Sequence, residues 1–172
     1  MSDLELEPGV RHRVIVELLE QDGVSAGLPW VYHDGGRAAA GFRGHTGDCT
    51  TRAIAIATGT PYREVYDALN ARVKAARKGS KAARGSARTG VSIGVIKAHL
   101  AEVGWDWNPT MGIGTGTTTH LRPLELPDGP LIARVTKHLC AVIDGVVYDT
   151  GDPCRDGERA VYGYWSPSSV QG

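Results

Sequence analysis

The sequence predicts an α+β fold, an N-terminal helical part packed on an antiparallel β-sheet formed by the C-terminal half. Residues 49–103 hold three apolar patterns at helical spacing, each with its own start and stop residues. Residues 131–165 hold short β-branched and aromatic runs separated by turn residues. Helices come first and strands follow, without the alternation that builds a parallel sheet. The 41% apolar content of the 172-residue chain supports one globular domain spanning 1–172 rather than a disordered chain.

Residues 1–30 are expected to form an N-terminal extension whose role the sequence leaves open. Within it, Arg13 to Glu20 fits a short helix or a strand. Asp34-Gly35-Gly36-Arg37 is turn chemistry. The first helix is expected from Cys49 to Thr58, with Asp48 as N-cap and Gly59 just past its end. Thr60-Pro61 opens a second helix, whose apolar face is Tyr62, Val65, Tyr66 and Leu69. Residues 72–88 carry seven basic side chains and no acidic one, with Gly79 and Gly85 to break a helix, so a basic flexible loop is expected there. A third helix spans roughly Ser92 to Val103 and stops at Gly104. Trp105 to Gly116 reads as loop. Its Gly112-Ile113-Gly114-Thr115-Gly116 stretch lacks the residues of a phosphate loop.

Strands are expected at Leu131–Val135, Lys137–Ile143, Val146–Thr150 and Val161–Trp165. Asp144-Gly145 is a strong two-residue hairpin turn. That turn sets a register. Ile143 then pairs with Val146, Cys140 faces Asp149, and His138 faces Gly151. His138, Cys140, Val142, Val147 and Asp149 fall on one face, with Asp149 diagonal to His138. The same count puts Asp152 on the other face and Asp144 in the turn.

Formal net charge is zero, so overall charge names no nucleic-acid or membrane partner. The acidic start Met1-Ser2-Asp3-Leu4-Glu5 lacks a secretory pattern, and a cytoplasmic location is expected. Three cysteines, Cys49, Cys140 and Cys154, are too few and too odd in number for a disulfide framework, although Cys140 and Cys154 could pair in an oxidising compartment. Without a CxxC pair, a metal site from Cys49, His138 and Cys154 ranks below thiol chemistry.

Cys49 is the candidate nucleophile. The first amides of a helix lack intrahelical partners and carry partial positive charge, which favours the thiolate. Asp48 opposes this unless its own charge is compensated. His138 is the candidate base. Asp149 could accept its Nδ1–H and leave Nε2 for the thiol. The Cys49 amide is one candidate oxyanion donor. A second is sought among Arg43, His45, Thr46 or a nearby backbone amide.

A cysteine at a helix start, followed by histidine and then aspartate on adjacent strands, resembles the papain-like cysteine peptidase superfamily. The likeness rests on Asp48-Cys49, His138-Leu139-Cys140-Ala141-Val142 and Val147-Tyr148-Asp149. It is closest in flavour to the compact microbial branch with the bacteriocin-processing peptidases, and is similar to papain-like proteins of bacteria and their phages. It covers about Gly41 to Trp165. It implies a papain-like fold, cleavage of a peptide, isopeptide or other amide bond in a protein or peptide substrate, and no metal or organic cofactor. One departure is the missing Gln ahead of the nucleophile, since only Gln21 and Gln171 occur. Acyl transfer of the transglutaminase kind uses the same triad. A non-catalytic binding or inhibitor protein on such a scaffold is the other reading. In that case the basic segment, Trp105 and Trp107 would be contact sites, and the two tryptophans are also the substrate-binding candidates for an enzyme.

Overall fold

The computed structural model describes residues 27–76 and 85–169. In chain order the elements are β1 (Trp30–Tyr32), α1 (Cys49–Thr58), α2 (Tyr62–Ala76), α3 (Ile93–Glu102), β2 (Trp105–Pro109), β3 (Pro130–Val135), β4 (His138–Ile143), β5 (Val146–Asp149) and β6 (Gly163–Pro167). The fold is α+β, with three helices and one six-stranded sheet among the described residues. The strand order is β1-β5-β4-β3-β6-β2.

The sheet is mixed, which corrects the antiparallel expectation. β1 runs parallel to β5, and the other pairings are antiparallel. β1 and β2 come from outside the C-terminal run of strands. β2, read from sequence as loop, pairs with β6 from Trp105↔Pro167 to Pro109↔Gly163.

The helices stop where local chemistry says they should. Gly59 ends α1 at φ 69°, a left-handed residue that glycine adopts without steric penalty. Ser92 caps α3 by accepting from the Val95 amide. The β4–β5 turn places Asp144 at φ 49° and Gly145 at φ 74°, the two positive angles of a type I′ turn. The register is the one that turn dictates: Ile143↔Val146, Val142↔Val147 and Ala141↔Tyr148.

Two cores sandwich the sheet. On one face Ile54, Tyr62, Leu69 and Leu100 from the helices pack with Ile132, Leu139, Ala141 and Trp165. On the other, Leu131, Ala133, Val135, Cys140, Val142 and Val147 pack with Leu28, Leu121, Leu126, Cys154 and Val161 from the loops. The face bearing Cys140, Val142 and Val147 is therefore turned away from α1, which rests on Leu139 and Ala141.

Both described ends of the expected basic loop at 72–88 are structured. Arg72 to Ala76 continue α2, whose apolar stripe runs on through Val73. Residues 85–90 form a tight turn closed by the Ser86↔Gly90 bridge. Residues 77–84 lie outside the described residues, as do 1–26 with Arg13 to Glu20. Leu28 is buried and Trp30 opens β1, so the fold begins before residue 31.

Candidate active site

Cys49 is the first residue of α1 and is half-buried. Its thiol meets two groups at the start of β4, the His138 imidazole and the Leu139 backbone N–H. His138 Nε2 lies 2.5 Å from Asp149 Oδ2. Three groups distant in sequence thus come together, the Cys49 thiol beside an imidazole that is itself hydrogen-bonded to Asp149. The ring orientation corrects the expectation. Nε2 faces the carboxylate, which leaves Nδ1 for the thiol.

Asp149 is held from several sides. Its Oδ1 accepts from the Thr150 amide at 2.7 Å and lies 3.5 Å from Arg52 Nη2. Its backbone carbonyl accepts from the His33 amide at 2.9 Å and from Trp30 Nε1 at 3.1 Å. β1 therefore clamps the end of β5 where the acid sits. A carboxylate bonded on both oxygens is fixed in orientation, and fixes the ring it holds.

Asp48 occupies the N-cap position, yet its side chain makes no cap hydrogen bond. It is fully buried and faces inward. It pairs with Arg52, accepts from the Tyr62 hydroxyl at 2.5 Å and lies 3.1 Å from Arg37 Nε. Its charge beside the thiol is thus neutralised by two guanidinium groups. Tyr62 is pushed far above the usual phenol range, by burial first and then by this carboxylate. Gly35 allows the arrangement, because a Cβ there would meet the Arg52 Cα at 3.0 Å. The 34–37 turn can then lie on α1 and deliver Arg37.

Arg52 is the residue that sequence reasoning missed. One turn beyond the cysteine, it joins Asp48 to Asp149 and so ties the helix start to the triad acid. The Asp48–Arg52 spacing of four residues was a readable helical ion pair. That the guanidinium also reaches Asp149 is a tertiary fact.

The electrostatics distinguish Cys49 from its two fellows. Burial opposes its ionisation, but the His138 hydrogen bond, the Leu139 amide, and the charges of His138 and Arg52 outweigh burial and hold the thiol below its usual value. Burial also works to discharge His138, yet the hydrogen bonds to Asp149 and Cys49, with their charges, push the ring up to about 9. Cys140 is driven well upward by burial, and Cys154 is pushed up to about 12 by burial and the nearby Asp152. Both are free and buried in the second core. Among the described residues no group of three or more His, Cys, Asp or Glu could hold a metal ion.

A groove of about 380 Å³ opens at Cys49, between Thr89–Val91 on one side and Arg134–Leu139 on the other. Its Thr89–Val91 wall is pinned to α1 by Thr51 Oγ1, which donates to the Ala87 carbonyl at 2.7 Å. None of the three oxyanion candidates lines this groove. Arg43 and His45 are exposed, and the Thr46 hydroxyl donates to the Arg88 carbonyl at 2.6 Å. Gln21 and Gln171 lie outside the described residues.

The tryptophans are also placed differently from the expectation. Trp105 is 7% exposed and belongs to the helix-side core. Trp107 packs on Trp165 with ring centroids 4.4 Å apart, over a backbone where a Cβ at Gly163 would come within 2.4 Å of it. Large aromatic area is more stabilising against the sheet than in water, and neither ring lines the groove. His99 is buried on α3. His120 bonds Glu125, and His33 accepts from the Gly35 amide.

Comparison with protein-family models, curated proteins and solved structures finds no match.

Proposed function

We propose that the chain is a papain-like thiol hydrolase that cleaves a peptide, isopeptide or other amide bond through Cys49, His138 and Asp149. The observation that carries this reading is the His138–Asp149 hydrogen bond of 2.5 Å, whose imidazole shares an open groove with the Cys49 thiol at the start of α1. The lowered thiol and raised imidazole values favour a thiolate–imidazolium pair at neutral pH.

In the reaction, Cys49 Sγ attacks the amide carbon, and the carbonyl π electrons move to oxygen. The Cys49 N–H at the start of α1 is placed to stabilise that oxyanion. Collapse breaks the C–N bond and leaves a thioester, while His138 Nδ1 gives its proton to the departing amine. The neutral ring then takes a proton from water, whose oxygen attacks the thioester. The acid departs and the thiol is restored. Asp149 keeps Nε2–H engaged throughout and stabilises the charged ring. Every proton in this cycle is carried by the triad, substrate or water.

The test is the pH dependence of Cys49 alkylation by iodoacetamide, read by mass spectrometry beside Cys140 and Cys154, with a peptide-cleavage screen. Fast labelling at neutral pH that is lost in His138→Ala, and cleavage that is lost in Cys49→Ala, are expected. Labelling no faster than an ordinary thiol and indifferent to His138 would overturn the proposal.

A further inference from the structure

We propose that the groove beside Cys49 selects its substrate by a carboxylate next to the scissile amide, held by Arg134 and Lys137. This rests on the hydrolase reading and supplies the substrate class that reading leaves open.

The groove holds Arg134 and Lys137, together with His138 of the triad. Among the described residues that line it, none is Asp or Glu. Composition does not account for this, because acidic and basic residues are equal in number at 19 each. Arg134 is half-buried on β3, and its guanidinium has no ion pair among the described residues. A guanidinium without an ion pair among the described residues is matched best by a carboxylate, which accepts two parallel N–H bonds.

Lys137 adds an independent observation. It occupies the β3–β4 turn at φ 55°, a left-handed position that glycine would fill with less strain. It borders both the Cys49 groove and a neighbouring depression of about 660 Å³ beyond His138. That depression adds Arg155 and Arg159. Its two carboxylates are occupied: Asp149 by His138 and Arg52, and Asp152 by the Cys154 amide. Lys137, Arg155 and Arg159 outnumber these two carboxylates, so positive charge is spread around the reacting centre, where it would raise the local concentration of an anionic peptide. Among the described residues that line the groove, Tyr162 is the one Phe, Trp or Tyr, so they offer no row of rings for stacked bases and favour a peptide over a nucleic acid. The carboxylate has two possible sources, an Asp or Glu side chain or a free C-terminus.

Three measurements on the full chain test this. The first compares alkylation of Cys49 by anionic iodoacetate and neutral iodoacetamide, in wild type and in R134Q/K137Q. The imidazolium acts in both proteins, so it cancels. The iodoacetate preference is expected to fall roughly fivefold to tenfold in the variant at low salt, and to shrink in wild type as salt is added. The second measures cleavage of acetylated, amidated peptides with Glu or Gln at each position flanking the amide, and of the Gln set with free C-termini. Preference for Glu assigns the side chain, and preference for the free terminus assigns the terminal carboxylate. The third follows NMR signals of Cys49→Ala on adding the Glu or the Gln peptide.

Fast labelling with an unchanged reagent preference overturns the groove inference and leaves the thiol reading intact. Slow labelling by both reagents overturns the thiol reading instead, and peptide binding then decides the groove. Shifts at Arg134 and Lys137 with the Glu peptide alone sustain it. Equal shifts with both peptides, or shifts with an oligonucleotide and neither peptide, overturn it.

Discussion

Replacing Asp149 with asparagine removes one charge from the triad while keeping an oxygen to accept the Nε2–H bond. His138 is raised from its ordinary 6.5 to about 9. At about 1.4 kcal/mol per unit, the folded site favours the imidazolium by roughly 3 kcal/mol, shared between Asp149 and Cys49 and already net of burial. The Asp149 hydrogen bond is the largest raising influence, after burial which lowers. In Cys49→Ala the ring is therefore expected to titrate above 6.5. In Cys49→Ala/Asp149→Asn both negative partners are gone while burial still opposes the imidazolium, and titration should fall below 6.5. NMR of the imidazole reads both values. With Cys49 present, Asp149→Asn should move the alkylation inflection upward, because the imidazolium that holds the thiolate is lost at a lower pH. The rate at pH 7 should then drop by about tenfold to a hundredfold. The same shift has a consequence for stability. A raised histidine contributes fully below its unfolded value near 6.5, and that contribution is lost as pH rises through the folded value. Urea unfolding of Cys49→Ala should thus weaken above pH 6.5, and the double variant should not show this decline. An unmoved His138 titration in the double variant would refute the reasoning.

Further expectations concern the supports of the site. Arg52→Met leaves buried Asp48 and Asp149 without a shared cation, and should lower stability by about 3–5 kcal/mol in urea unfolding; a loss under about 1 kcal/mol would mean that the pair is solvated. Trp105→Ala should cost about 3–5 kcal/mol by cavity formation, and any change in cleavage should follow the folded fraction rather than KM. Lys137→Gly relieves a left-handed backbone and should raise the thermal midpoint by an amount worth about 1 kcal/mol, while weakening the iodoacetate preference.

Local chemistry made the helices and the β4–β5 hairpin legible. Asp48, Gly59, Pro61, Ser92 and Gly104 punctuate the helices, and Asp144-Gly145 sets a register that brings Asp149 beside His138. Where pairing is decided by tertiary contact, the reading ran short. Trp105 to Pro109 contains Asp, Asn and Pro, residues that avoid strands, and becomes one through β6. β1 is three residues long and joins the sheet through β5 alone. Register also locates a side chain without orienting its ring, so the wrong His138 nitrogen was assigned to Asp149. The tryptophans looked exposed because β2 was not seen. Arg52 was overlooked because a helical i, i+4 pair ordinarily lies on a solvated face, whereas this one is turned inward by Gly35, Tyr62 and Asp149.

The clamp of β1 on Asp149 bears on when the thiol becomes reactive. Trp30 and the acid it holds are 119 positions apart. Cys49 begins the first helix, and His138 begins β4, after all three helices have passed. Closing such long loops is entropically uphill until the whole sheet is in place to reward it. No local segment containing Cys49 can assemble the imidazole, the acid and the Arg52 bridge by itself. The influences that lower the Cys49 ionisation exist only once β4 and β5 are docked on α1. The lowering of the thiol is thus a property of the completed topology. A pulse of alkylating reagent during refolding would date the arrival of the native sheet by the reactivity of one sulfur atom.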